Sequence, residues 1–167
     1  TTGLLLFTND ERFVAHATSP ESHLAKRYLA RVGAAPDEGK LARLRSGLVL
    51  DDGPCLPAQA RLREDRVELT LSEGRHHQVK RMLGAVGLPV LELHREAIGA
   101  LALDVPLGAA RLLGDDEVVA AVQRVNEYAG GIWKVPGVID WGSHKHNPFV
   151  DVTKDKVALS WALKKVV

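Results

Sequence analysis

The sequence predicts an α+β domain in which helices flank a sheet, rather than a repeat of βαβ units. Segments that alternate like strands and segments with helical spacing follow one another in mixed order. An apolar content of 46% beside 26% charged residues is typical of a globular chain and excludes a disordered one. The composition changes after about residue 125, and we therefore assign this domain to residues 1–124.

The first half of the domain is predicted to contain two strands and two helices. Residues 3–8 form an apolar strand that a turn-forming Asn-Asp pair closes, and residues 11–18 form a short helix. Residues 26–32 alternate as a strand, with Tyr28 on the face opposite to its arginines. Residues 37–46 are helical in character and stop at a glycine.

The second half continues the mixture of strands and helices. Residues 61–71 contain two strand-like pieces joined near an acidic turn. Residues 90–93 and 98–103 predict another pair of strands, and residues 115–125 predict a closing helix.

A helix between these strands is predicted over residues 77–86, with a glycine after it as its stop. Its buried face is formed by residues at helical spacing, namely Val79, Met82, Leu83 and Val86. Gln78, Lys80 and Arg81 fall outside this apolar face.

Residues 125–167 are predicted to be a second module or a foreign extension. This segment holds all three tryptophans and no arginine. Its glycine and proline pairs indicate turns, with short strands such as residues 157–163.

Bulk properties exclude some classes of protein and leave others open. The net charge of +1, from 22 basic and 21 acidic side chains, neither requires nor excludes a nucleic-acid partner. A single cysteine, Cys55, excludes an intrachain disulfide and a cysteine-based zinc site and favours a cytoplasmic location. No apolar run is long enough for a membrane span. The chain begins without Met or a basic segment, so we interpret it as a fragment and not as a signal-bearing protein.

The most informative stretch reads S-E-G-R-H-H-Q-V-K-R-M-L and covers residues 72–83. A strand passes through a glycine turn into a helix whose first turns are rich in hydrogen-bond donors. Backbone N–H groups at a helix start favour phosphate, and Arg75, Lys80 and Arg81 add full positive charges. The pattern predicts an anion site of about nucleotide size. The alternative is a basic helix end that only faces solvent.

Four separated motifs give this sequence a resemblance to a known family. They are T-T-G-L-L-L-x-T-N-D at residues 1–10, K-x-Y-L at 26–29, E-G-R-x-H-Q-V-K-R-M at 73–82 and E-L-H-R at 92–95. In this order they resemble the RsuA branch of the pseudouridine synthases, and the H-Q-V-K form favours its small-subunit, 16S group. The resemblance implies a mixed, mainly antiparallel catalytic sheet that is present here only in part.

The resemblance implies that a uridine in ribosomal RNA is isomerised to pseudouridine. The uridine is flipped into a pocket, an aspartate attacks, the glycosidic bond breaks, and C5 of the rotated uracil rejoins the ribose. Tyr28 matches the position that stacks on the base, with a hydroxyl suited to taking the C5 proton. Lys80, with Arg81 beside it, matches the cation that keeps the aspartate ionised. Leu69 or Leu71 is expected to form an apolar wall under the uracil.

The resemblance also implies contacts with RNA and no cofactor or metal. The residues expected to bind RNA are Arg75, His76, His77, Gln78, His94 and Arg95. Ribosomal RNA is the expected partner, 16S ahead of 23S, and a cytoplasmic monomer without membrane contact is the expected state. Adjacent histidines diverge by about 100° on a helix, which opposes a shared metal at His76 and His77.

One departure from the family pattern affects the expected activity. The family carries its nucleophilic aspartate in a G-R-L-D-x-D stretch immediately ahead of T-T-G, and this chain begins at Thr1. We expect Asp10 at the far end of the first strand and see nothing that places Asp51 near the helix, so neither replaces it. We therefore expect an inactive enzyme fragment. The alternatives are a non-catalytic RNA-binding remnant and a truncated or chimeric chain without function.

Overall fold

The computed structural model describes residues 1–122 and 158–160. Its helices are α1 (Glu11–Thr18), α2 (Glu38–Ser46), α3 (Gln78–Ala85) and α4 (Asp115–Val122), with a 3₁₀ turn at Pro20–Ser22. Its strands are β1 (Thr2–Gly3), β2 (Leu6–Phe7), β3 (Lys26–Val32), β4 (Val49–Leu50), β5 (Gly53–Pro54), β6 (Gln59–Arg63), β7 (Arg66–Leu71), β8 (Val90–Ile98), β9 (Leu101–Ala102), β10 (Ala110–Leu112) and β11 (Ala158–Ser160). The rest of the extension predicted over residues 125–167 lies outside the described residues.

The largest sheet is mixed and mainly antiparallel, as predicted. Its strand order is β1-β8-β3-β7-β6, with β9 also paired to β8, and β1 runs parallel to β8. The strand predicted over residues 26–32 is confirmed as β3, and the two pieces predicted within residues 61–71 are confirmed as the hairpin β6–β7. Within the described ranges, no helix is long and apolar enough to cross a bilayer.

The larger core lies between one face of this sheet and helices α2 and α3. Ala30, Val67 and Leu69 contribute from the sheet and are fully buried. From α3 and its end, the core receives the four residues predicted for the apolar face, Val79, Met82, Leu83 and Val86. Complete burial of such a side chain stabilises the fold by roughly 1.5–3 kcal/mol. Gln78 is buried as well, so its placement outside the buried part of the helix is wrong.

The first strand is shorter than predicted, because residues 3–8 divide between two sheets. β1 pairs with β8, whereas β2 pairs with β11 in a second sheet that also contains β10. Between them Leu4 leaves the sheet and is buried in a smaller core with Phe13 and Leu24. The burial of Leu4 interrupts the ladder, which apolar character alone does not reveal.

The strands predicted at residues 90–93 and 98–103 are also wrong in their bounds. β8 continues from Val90 to Ile98, and only the short β9 follows. β8 pairs with β3 along its length through two register shifts, one between Arg27 and Tyr28 and one between Arg31 and Val32. These bulges keep the polar middle of β8 in the sheet, where the sequence indicated a break.

Candidate functional site

The glycine turn between β7 and α3 is held by a buried polar pair. Gln78 exposes 3% and Glu73 8% of its surface. The Gln78 amide donates to Glu73 and accepts the backbone N–H of Arg75 at 3.0 Å. Glu73 also accepts the backbone N–H of Leu56 at 2.9 Å, which fastens the turn to the segment before β6. The structure thus gives Gln78 a holding role in addition to the RNA contact expected of it.

Two cations of the predicted anion site are already paired with carboxylates. Arg75 lies 3.1 Å from Asp52 and 3.3 Å from Glu73. Arg81 donates to Asp52 at 3.0 Å and lies 3.3 Å from Asp51. The β4–β5 hairpin therefore brings both aspartates to α3, although nothing in the sequence had placed Asp51 near this helix.

The pKa of Asp52 reflects this pairing. Burial opposes ionisation of its carboxyl group. The hydrogen bond from Arg75 and the charges of Arg81 and Arg75 outweigh that effect and hold the pKa of Asp52 below its usual value. Asp52 is consequently a charged link between the hairpin and the helix.

The start of α3 and the central sheet line a cavity of about 200 Å³ that opens to solvent. The predicted site residues that line it are Tyr28, Leu71, Arg75, His77, Gln78, Lys80 and Arg95. The predicted residues outside its lining are Leu69, His76, Arg81 and His94. Residues that line it without having been assigned to the site are Thr1, Glu73, Gly74, Val79 and Leu93. The alternation of β8 could have predicted that Leu93 lines the cavity, since Leu93 lies on the same strand face as Arg95.

The sheet positions Tyr28 and Arg95 side by side. They are opposite one another in the β3–β8 ladder, so both side chains leave the same face. Leu69, opposite Tyr28 on β7, shares this face but is completely buried in the core, and Leu71 rather than Leu69 reaches the cavity.

His94, which was expected to bind RNA, lies on the face of the sheet opposite to the cavity. Its Nδ1 is 2.9 Å from the hydroxyl of Thr2, in the parallel pair that joins β1 to β8. Burial lowers the pKa of His94. This histidine therefore links two strands and does not join the cavity.

Lys80 is the exposed cation of α3 that remains unpaired. It lines the cavity, and its ammonium group makes no hydrogen bond or ion pair among the described side chains. Neither Lys80 nor Arg81 forms a surface ion pair with Glu73, because Glu73 binds Arg75 and Gln78. The Lys80 ammonium is thus available to an anion in the cavity.

The two adjacent histidines differ in their relation to the cavity. His77 caps α3 with a left-handed backbone, φ 50°, and lines the cavity. Its ring stacks on that of His76, with centroids 3.8 Å apart. Such a backbone costs on the order of 1–3 kcal/mol, and the surrounding structure must hold it in place. No group of three side chains able to hold a metal occurs in the part of the chain that the structure describes.

Comparisons with known proteins give this geometry a family. The model of the family described as RNA pseudouridylate synthase matches residues 1–85. The chain is 42% identical over 125 residues to the ribosomal small subunit pseudouridine synthase A of Salmonella typhimurium, covering 72% of this chain and 54% of that protein. It is 40% identical over 127 residues to the protein of the same name from Escherichia coli K12, covering 73% and 55%.

A solved structure agrees with these sequence matches. A crystal structure of a pseudouridylate synthase superposes with a TM-score of 0.69 at 39% identity, covering 72% of this chain and 55% of that one. The chain therefore spans about half the length of the relatives it matches. On these matches, the chain belongs to the RNA pseudouridylate synthase family.

Proposed function

We propose that this chain is part of an enzyme that isomerises one uridine of ribosomal RNA to pseudouridine. The observation that carries the proposal is the meeting of Tyr28, Leu71 and Lys80 at one cavity. The names of the relatives, ribosomal small subunit pseudouridine synthase A at 42% and 40% identity, support 16S RNA as the substrate. We further propose that the enzyme uses no cofactor or metal and acts as a cytoplasmic monomer. Its catalytic part is proposed to end near residue 124.

Three residues that line the cavity have roles in this reaction. Tyr28 stacks on the flipped base and its hydroxyl takes the C5 proton, while Leu71 forms the apolar wall. Lys80 keeps the nucleophilic aspartate ionised, because an opposite charge lowers a carboxyl pKa. Arg81, which the sequence placed beside Lys80 in this role, instead braces α3 through Asp52.

The nucleophile itself is proposed to lie upstream of Thr1. Thr1 lines the cavity. In the family pattern the D-x-D pair immediately precedes T-T-G, so each aspartate is at most three residues away, within roughly 10 Å along the chain. A carboxylate at that position can reach Lys80. The proposal therefore makes residues 1–167 inactive alone and active once this segment is present.

The second candidate is an RNA-binding remnant without catalysis. It is favoured by the unpaired Lys80 at the cavity, which can bind phosphate whether or not an aspartate is present. It predicts salt-dependent RNA binding but no isomerisation in any extended form of the chain.

Release of tritium from C5-labelled uridine in 16S RNA distinguishes the two candidates. We expect no release with residues 1–167, and release once a G-R-L-D-x-D segment precedes Thr1. In the extended chain, Lys80→Ala and Tyr28→Phe should each remove most of the activity. Arg43→Gln, on α2 beside Ala85, is the control and should leave it unchanged. If the extended chain releases no tritium, or if the Lys80 and Tyr28 variants retain full activity, the isomerase proposal is wrong.

A further inference from the structure

Lys26 is a cation near the cavity for which the proposed reaction gives no role. It lies on β3 two residues before Tyr28 and therefore on the same face of the sheet. A Cβ placed on Gly74, in the cavity lining, would be 3.9 Å from its Nζ. Lys26 is partly buried, yet its ammonium group makes no hydrogen bond or ion pair with any residue whose side chain the structure describes.

Arg95 brings a second unpaired charge to the same place. Its Nε donates to the carbonyl of Leu4 at 2.8 Å, and its other two nitrogens bind no side chain within the described ranges. Burial first, and then the charge of Arg95, lower the pKa of Lys26. The fold thus holds two like charges near one another without a carboxylate between them.

This arrangement differs from that of the basic residues at the glycine turn and in α3. Arg75 and Arg81 are also partly buried, and each is matched by a carboxylate of the β4–β5 hairpin. Two like charges in a partly dehydrated place oppose one another, and an anion bound between them relieves that repulsion. Lys26 and Arg95 are therefore placed as ligands for something outside the chain.

We propose that Lys26 and Arg95 together bind one phosphate of the RNA backbone, next to the nucleotide whose base enters the cavity. The proposal rests on the proposed function, because RNA is its ligand. Neighbouring strands lie about 4.8 Å apart, so two long side chains from β3 and β8 can reach the same phosphate. Ammonium and guanidinium groups form charge-assisted hydrogen bonds with phosphate oxygens. Lys80 is left for the aspartate.

Binding of the full 167-residue chain to 16S ribosomal RNA, measured against salt concentration, tests this assignment. Lys26→Gln and Arg95→Gln should each weaken binding about tenfold at low salt. The double variant should reduce the slope of log K against log salt by about 0.7–0.9, the value for one phosphate, and not by twice that. Lys26→Arg keeps the charge and should restore binding. Arg43→Gln, on α2 beside the far end of α3, should change neither affinity nor slope.

Other outcomes overturn the phosphate site. These are unchanged binding by Lys26→Gln, weaker binding with an unchanged slope, an equal effect of Arg43→Gln, and no RNA binding by the parent chain. Circular dichroism checks that each variant is folded. If Arg95→Gln does not fold, the result for Lys26→Gln decides the test. Tritium release from the extended chain reports on the isomerase proposal separately. A Lys26-dependent slope without tritium release would retain the phosphate site and reject the isomerase.

Discussion

Tyr28 lies opposite Arg95, and a β-bulge decides this pairing. Arg27 is opposite Ala97, so a regular ladder would place Tyr28 opposite Glu96. The register shift leaves Glu96 as the bulged residue of β8, with no residue opposite it on β3. Its carboxylate lies 3.3 Å from Arg27 and 3.0 Å from Arg63. The bulge thus places a cation, and not a carboxylate, beside the tyrosine of the cavity.

Replacement of Tyr28 tests whether its ring contacts a base. Tyr28→Ala should weaken RNA binding by about 5- to 150-fold, because base stacking on an aromatic ring contributes about 1–3 kcal/mol. Tyr28→Phe keeps the ring and should bind like the parent chain in a filter-binding assay. Equal affinities of the alanine variant and the parent would show that no base stacks there.

Loss of the Gln78 amide should destabilise the glycine turn. In Gln78→Leu, the Glu73 carboxylate and the Arg75 N–H lose a buried partner, which lowers the free energy of unfolding by about 1–3 kcal/mol. Urea denaturation measures this change. Leu107→Gln, at an exposed loop position between β9 and β10, should change it by less than about 0.5 kcal/mol. Equal effects of the two substitutions would remove the holding role of Gln78.

Gly3 is required where β1 meets β8. Its φ is 105°, and an added Cβ would lie 2.2 Å from the carbonyl oxygen of Arg95. Gly3→Ala should therefore destabilise the fold by more than about 1 kcal/mol in urea denaturation. Gly84→Ala is the matched control, since nothing lies within 4 Å of its Cβ position in α3. It should stabilise the fold by up to about 1 kcal/mol. A harmless Gly3→Ala would contradict the close β1–β8 approach.

Glu68 should make the fold sensitive to acid. Burial alone would raise the pKa of this carboxyl group, but the hydrogen bond from Arg61 at 2.7 Å and its charge lower it below the ordinary 4.5. The resulting stabilisation is fully present above pH 4.5 and is lost as the pH falls through the lower folded value. Unfolding midpoints between pH 7 and pH 3 should therefore fall more in the parent chain than in Glu68→Gln.

The control for this pH dependence is Glu64→Gln, at the exposed turn between β6 and β7. This variant should lose stability in acid as steeply as the parent chain. A Glu68→Gln profile parallel to that of the parent would refute the link between Glu68 and acid stability.

Lys26 should lower the stability of the folded chain while it contributes to RNA binding. Its lowered pKa means that the folded state disfavours the charged form, and this penalty is present at neutral pH and fades as the pH rises through the folded pKa. After solvent screening, Lys26→Met should raise the free energy of unfolding by on the order of 0.5 kcal/mol in urea denaturation at pH 7. The same variant should weaken RNA binding. A destabilised variant would mean that Lys26 is held by favourable contacts.

Local chemistry made much of this protein predictable. Helical spacing identified the buried face of α3, and alternation identified β3, β6 and β7, because both patterns depend only on neighbours in the chain. The motifs around Tyr28 and Lys80 were sufficient for the family, and both residues line the cavity.

The sequence by itself determined the kind of fold, the order of most elements and the family. Only the tertiary structure decided which cations remain unpaired at the cavity, because Asp52 reaches Arg75 and Arg81 from more than 20 residues away through the β4–β5 hairpin. It also decided the burial of Gln78, the division of the first strand at Leu4 and the face on which His94 lies. Each of these depends on contacts between distant segments, which periodicity along the chain does not record.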